Sequence, residues 1–147
     1  KGRGYCSYDP TTKTLILDED VMNFSIIHEF GHVLADAYDI YNDKKFLDIL
    51  SDGLDLSSHA DVIQIKDPYR TDEYVFAFRP DDTNKFIDPY QGRIYIKRMD
   101  DWNAPIDAKK MQEYFSVGFD AYFNQPEKLM QKDIKLYNYI KELLDNG

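Results

Sequence analysis

Cysteine is almost absent, since Cys6 is the only one in 147 residues. A single thiol forms no internal disulfide and cannot build a multi-cysteine zinc site. Near a terminus it reads as an inert side chain rather than as a thiolate that masks a metal. The lack of disulfides leaves the compartment open. Long apolar runs are missing too. None approaches the ~18 residues of a membrane-spanning helix and no signal-peptide pattern opens the chain, so no membrane span is expected. The chain begins with Lys1 rather than Met, which reads as a processed protein or an excised domain. Basic residues are in deficit, with 18 Lys plus Arg against 27 Asp plus Glu and a net charge of −9. Such a surface repels phosphate backbones, so nucleic acid is not an expected partner, whereas basic peptides and metal cations are favoured.

What is present is ordinary for a folded protein. Apolar residues make up 43% and charged residues 31%, enough for one core, and a single domain over residues 1–147 is expected. Aromatic residues reach 15%, which suits half-buried packing and, where exposed, peptide grooves. Residues 1–12 carry Gly and Pro and read as loop, and residues 13–17 (KTLIL) as a short strand. The acidic stretch 18–20 suits a helix N-terminus. A long helix follows, with Val21, Phe24, Ile27, Gly31, Leu34, Ala35 and Tyr38 recurring at helical spacing. Residues 43–51 predict a shorter helix ended by Asp52-Gly53. Residues 62–66, 74–78 and 93–97 predict strands between turn residues. Helix returns from Asp107 to Phe123, Pro126 opens another turn, and residues 133–144 form a last helix with Ile134, Leu136, Tyr137, Ile140, Leu143 and Leu144 inward. The order predicts an α+β domain, mostly helical with a small β-rich part. Trp102, in an Asp-Asp-Trp-Asn loop, reads as a packed anchor.

The strongest chemical signal is His28-Glu29-Phe30-Gly31-His32, an H-E-x-x-H motif on the predicted long helix. Residues four apart share a helix face, roughly 6 Å from each other. Two imidazoles there can hold one zinc ion, with the intervening Glu in reach of a water beside it. The chain has three histidines and six glutamates, so chance would place the motif about twice in a thousand such sequences. The plain alternative, polar residues on a solvated face, fits poorly with the surrounding apolar pattern, where an unpaired His is costly. A third ligand is needed. The metzincin extension requires His at position 38, where Tyr38 stands, and that class is excluded. The residues alone leave Glu113, Glu73 and His59 open, with Glu113 marked by its place in a second strong helix beside Tyr114, Phe115, Val117 and Phe119. Asp36, four residues after His32, either supports a ligand His or faces water.

Residues 27–32 (IHEFGH) followed by 44–49 (KKFLDI) resemble the catalytic domain of anthrax toxin lethal factor and its relatives, among them the Pro-Pro endopeptidases. Residues 113–119 (EYFSVGF) are similar to that family's E-[FY]-F-A-E-x-F segment, and residues 125–129 and 137–140 to its C-terminal helices. The resemblance covers residues 13–58 and 107–145 and leaves 60–106 as a β-rich insertion forming a wall or lid of the cleft. It implies a zincin-like metallopeptidase fold, His28, His32 and Glu113 as Zn2+ ligands and Glu29 as general base. Two positions depart from the family. Its second Glu, one turn after the ligand Glu, falls on Val117, with Ser116, Asp120 or Asp36 as substitutes for its support. Its Tyr, seven residues before the ligand Glu, falls on Ile106. Another alignment lays residues 56–59 (LSSH) over the family's L-T-S-Y and gives His59 that place, since an imidazole can also donate to an oxyanion. Tyr90 and Tyr95 are the other donors.

The expected activity is therefore zinc-dependent hydrolysis of peptide bonds by a metalloendopeptidase. Its substrate would be an extended peptide or protein, proline-containing in several relatives. The contrasting expectation is a toxin-type docking domain that keeps a zinc site and does not cleave. On the same resemblance the chain is secreted, or delivered into a host cell with a toxin carrier, and acts as a monomer.

Overall fold

The computed structural model describes residues 7–9, 11–12, 14–16, 23–68, 70, 72–79 and 85–146. Cys6, the acidic stretch 18–20 and Val21 lie outside them. Two short strands, β1 (Ser7–Asp9) and β2 (Thr14–Ile16), pair antiparallel with Tyr8 opposite Leu15. The second falls inside the expected strand. The first replaces an expected loop: a turn at Thr11 and Thr12 folds it back onto β2, and cross-strand pairing outweighs the loop-like composition of the segment.

Helix α1 (Asn23–Ala37) carries the H-E-x-x-H motif. It ends before Tyr38, which is exposed rather than inward, because Asp39 turns the chain with a left-handed backbone at φ 52°. Asp43 then caps α2 (Lys44–Ser51) by accepting from Lys45 N, and Gly53, at φ 71°, lies just past its end. The middle third forms a three-stranded antiparallel sheet in the order β3 (Val62–Lys66), β4 (Tyr74–Phe78), β5 (Arg93–Ile94). Phe76 faces Ile94 across the β4–β5 pair. Strand β5 is shorter than expected because Tyr95 N turns away to the Lys110 carbonyl at 2.8 Å. Three helices complete the fold: α3 (Glu113–Asn124), α4 (Pro126–Lys132) and α5 (Ile134–Asn146). The result is a small α+β domain, and no helix among the described residues is long and apolar enough to cross a membrane.

Two expectations for the C-terminal half need correction. Asp107 does cap, but it caps a single 3-10 turn, Ala108–Lys110, and α3 starts only at Glu113. Met111, fully buried, sits between the two with a non-helical backbone. On α5 the inward face is Leu136, Tyr139 and Ile140, while Ile134 and Leu144 are exposed. Tyr139 turns inward because its hydroxyl finds Asp43 at 2.6 Å and its ring packs on Phe46. Phe46 is the centre of the helical core, with Tyr41, Tyr114 and Phe115 also around its ring. Trp102 is half-buried against Phe78 and His59, as an anchor would be.

Helices α1 and α3 touch at Gly31. A Cβ built there would stand 3.1 Å from Ser116 Cα and 3.2 Å from Phe119 Cβ. Absence of a side chain lets the two backbones approach and so brings the motif face of α1 onto the start of α3. Gly31→Ala is expected to lower unfolding free energy by about 1–2 kcal/mol, as crowding of a packed core outweighs the gain in helix propensity. It should also weaken metal uptake. Denaturant unfolding checks this, and a variant as stable as wild type would show that α3 yields without cost.

Candidate metal centre

The cluster is built from three elements. Helix α1 projects His28 and His32 from successive turns, their rings 5.1 Å apart and nearly perpendicular. With Glu29 they form a group able to hold a metal ion, every candidate ligand atom within 4.8 Å of the others. Helix α3 brings Glu113 from 85 residues downstream of His28. Its Oε1 lies 2.9 Å from His28 Nε2 and 3.1 Å from His32 Nε2. The sheet supplies the third side, where the Tyr95 hydroxyl, just past β5, donates to Glu113 Oε2. Tyr90 stands beside it, 6.3 Å from the His28 ring.

Local structure explains how Glu113 reaches this point. It is the first residue of α3, whose N-terminus lacks a side-chain cap of its own. Tyr41 provides one from the turn after α1: its hydroxyl donates to the Met111 carbonyl at 2.7 Å and accepts from Phe115 N at 3.3 Å. That satisfies one of the free N–H groups that open a helix and fixes the first turn. On the other side, fully buried Gln91 accepts from Ile87 N and donates to the Tyr114 carbonyl at 3.2 Å. This ties the 3-10 turn Pro89–Gly92, and with it Tyr90, to α3.

Burial shapes the charges. Glu113 is only 3% exposed. Burial raises its pKa, but hydrogen bonds from both imidazoles and their charge outweigh that and hold it well below the ordinary carboxylate range. Burial opposes charge on His28 as well, yet the bond and charge of Glu113 leave it raised. Glu29 is raised mainly by burial, against the pull of His32 and His28. Burial and then the Glu113 charge push the Tyr95 phenol far up, so Tyr95 is the donor in its bond to the carboxylate.

The donor set fits zinc. Two imidazole nitrogens and one carboxylate oxygen are a known three-ligand set for a catalytic zinc with one position left over. Atoms bonded at ~2.0–2.2 Å to a tetrahedral ion stand about 3.3–3.6 Å apart. The observed 2.9 and 3.1 Å separations need to open by only a few tenths of an ångström. The same contacts are also those of two ordinary imidazole–carboxylate hydrogen bonds.

The remaining sequence candidates lie elsewhere. His59 is exposed on the loop before β3, its ring edge-on to Trp102 at 5.7 Å, and no described contact joins it to the cluster. Glu73 is exposed just before β4. Ile106 is buried, with its N–H bonded to the Leu56 carbonyl. Asp36 is half-buried one turn beyond His32. Val117 and Ser116 are buried on α3, and the Ser116 hydroxyl has no hydrogen-bond partner among the described residues. Asp120 bonds Asn124 at 2.5 Å. Of the donors considered from sequence, Tyr95 is the one brought to Glu113. Arg93, over the Tyr95 ring at 4.0 Å, is a residue that sequence reasoning misses, although the expected strand 93–97 would put the two on one face.

No family model, curated protein or solved structure matches the chain.

Proposed function

We propose that the chain is a zincin-like metallopeptidase domain that hydrolyses peptide bonds, with zinc held by His28, His32 and Glu113. The observation that carries the reading is the convergence of both motif imidazoles on the Glu113 carboxylate, with Glu29 in the same group. When bound, the zinc ion supplies Lewis-acid polarisation of the scissile carbonyl and makes a water more acidic. The residues do the rest. Glu29, confined beside the ligands, takes a proton from the attacking water and passes it to the leaving amine. Tyr95, protonated, gives its one hydroxyl proton to the ligand carboxylate and so orients Glu113. The lethal factor-like resemblance adds extended peptides as substrates, secretion or toxin-type delivery as the route to them, and a carrier as partner.

Burial of the ligands favours a second reading, in which the ion is enclosed and the domain docks without cleaving: His28, Glu29 and Glu113 are all buried. Peptide cleavage separates the two. Zinc-loaded chain incubated with a proteome-derived peptide library should generate new termini, lose that activity to a strong zinc chelator and recover it on adding zinc. Cleavage indifferent to the chelator, or a zinc-loaded chain that cuts nothing, contradicts the metallopeptidase reading.

A further inference from the structure

Strand β5 carries an arginine that links a buried carboxylate to the tyrosine on Glu113. The Arg93 guanidinium lies over the Tyr95 ring, 4.0 Å from its centre, and 5.7 Å from the centre of the Tyr90 ring. One terminal nitrogen donates to the Tyr90 hydroxyl at 3.1 Å and to the buried Asp67 carboxylate at 3.4 Å. Tyr95, beneath the guanidinium, donates to Glu113. The chain of contacts thus runs unbroken from the sheet to the carboxylate between the two imidazoles. Pairing with Arg93 compensates the buried Asp67 carboxylate, while the Arg93 Nε–H is buried without an acceptor among the described residues, at a cost in stability.

We propose that Arg93 is the positioning residue of the metal centre, holding the Tyr95 hydroxyl on Glu113 Oε2 so that Oε1 alone faces His28 and His32. The inference rests on the zinc centre proposed above. It assigns the sheet a definite task, which is to keep Glu113 a one-oxygen ligand. It also supplies the support that Val117, one turn along α3, has no polar atom to give. A planar guanidinium stacks on Tyr95 while its edge nitrogens reach Tyr90 and Asp67; the compact ammonium of lysine lacks that plane and fork, so lysine is a poor substitute here.

The test uses the full chain and two readouts that do not depend on turnover. Zinc affinity is measured in competition with a chromophoric chelator, and coordination is followed by the visible absorption of the Co2+-substituted protein. The variants are Arg93→Met, Arg93→Lys, Tyr90→Phe, Tyr95→Phe and the Arg93→Met/Tyr95→Phe double. Arg93→Met and Tyr95→Phe should each weaken zinc binding by about 10–100-fold, the usual effect of removing a group that orients a ligand. The double variant should lose no more than the larger single loss, because both act through one hydrogen bond. The Co2+ bands should weaken as Glu113 swings to two-oxygen binding, and Arg93→Lys should not restore them. If Arg93→Met fails to fold, Arg93→Lys and Tyr90→Phe cut the same chain of contacts at smaller cost. Arg93 variants with wild-type affinity and spectrum overturn the inference alone. A wild-type chain that takes up no ion overturns the zinc centre together with it.

Discussion

Glu29→Gln is expected to remove peptide cleavage while leaving the metal bound. The glutamate is buried within the cluster, inside the 4.8 Å group with both imidazoles, but Glu113 and not Glu29 is the carboxylate that meets their Nε2 atoms. Glutamine matches its size and keeps one oxygen in place, so packing at the α1–α3 contact is preserved. What the amide lacks is a basic site for a proton at neutral pH. Loss of a positioned general base costs on the order of 10²–10⁴ in rate, which should appear in kcat/KM at an unchanged zinc content. If zinc leaves with the activity, Glu29 is a ligand rather than a base. If the activity survives, it has no part in proton transfer.

Glu113→Ala should have the larger physical effect. One substitution removes the partner of His28, His32 and Tyr95 together. Breaking a buried ionic pair by deleting one side costs about 3–5 kcal/mol, so the metal-free variant should unfold at a clearly lower temperature than the metal-free wild type. Loss of a direct ligand should weaken zinc binding by more than the roughly 10–100-fold expected for a supporting group. Zinc that binds only the folded chain raises its stability by mass action. The wild type should therefore show a zinc-dependent rise in melting temperature and the variant none at the same concentration. An equal rise in both would place the third ligand elsewhere.

The imidazole pair was legible because it is local: a spacing of four on a periodic helix is enough to put two rings on one face. Glu113 was not reachable that way. Composition left it level with Glu73 and His59, and only the resemblance of residues 113–119 to the lethal factor family raised it above them. Which of the candidate donors meets Glu113 is not legible in the sequence. His59 enters by extending an alignment along the chain, whereas the position of Tyr95 depends on the pairing of β4 with β5 and on the Tyr95 N–H bond to Lys110, which are long-range events. The strands at residues 62–66 and 74–78 coincide with the β-rich runs between turn residues. The start of α3 did not follow its cap signal. An Asp before a basic pair is as good a cap for one 3-10 turn as for a helix, and burial of Met111 decided between them.

Metal content per chain in the purified wild type and in Glu113→Ala, after both are equilibrated with the same weak chelator, tests the central claim most directly. The account predicts one zinc ion per wild-type chain and almost none in the variant. Stoichiometric zinc retained by Glu113→Ala, or a wild type that holds no ion, would contradict it.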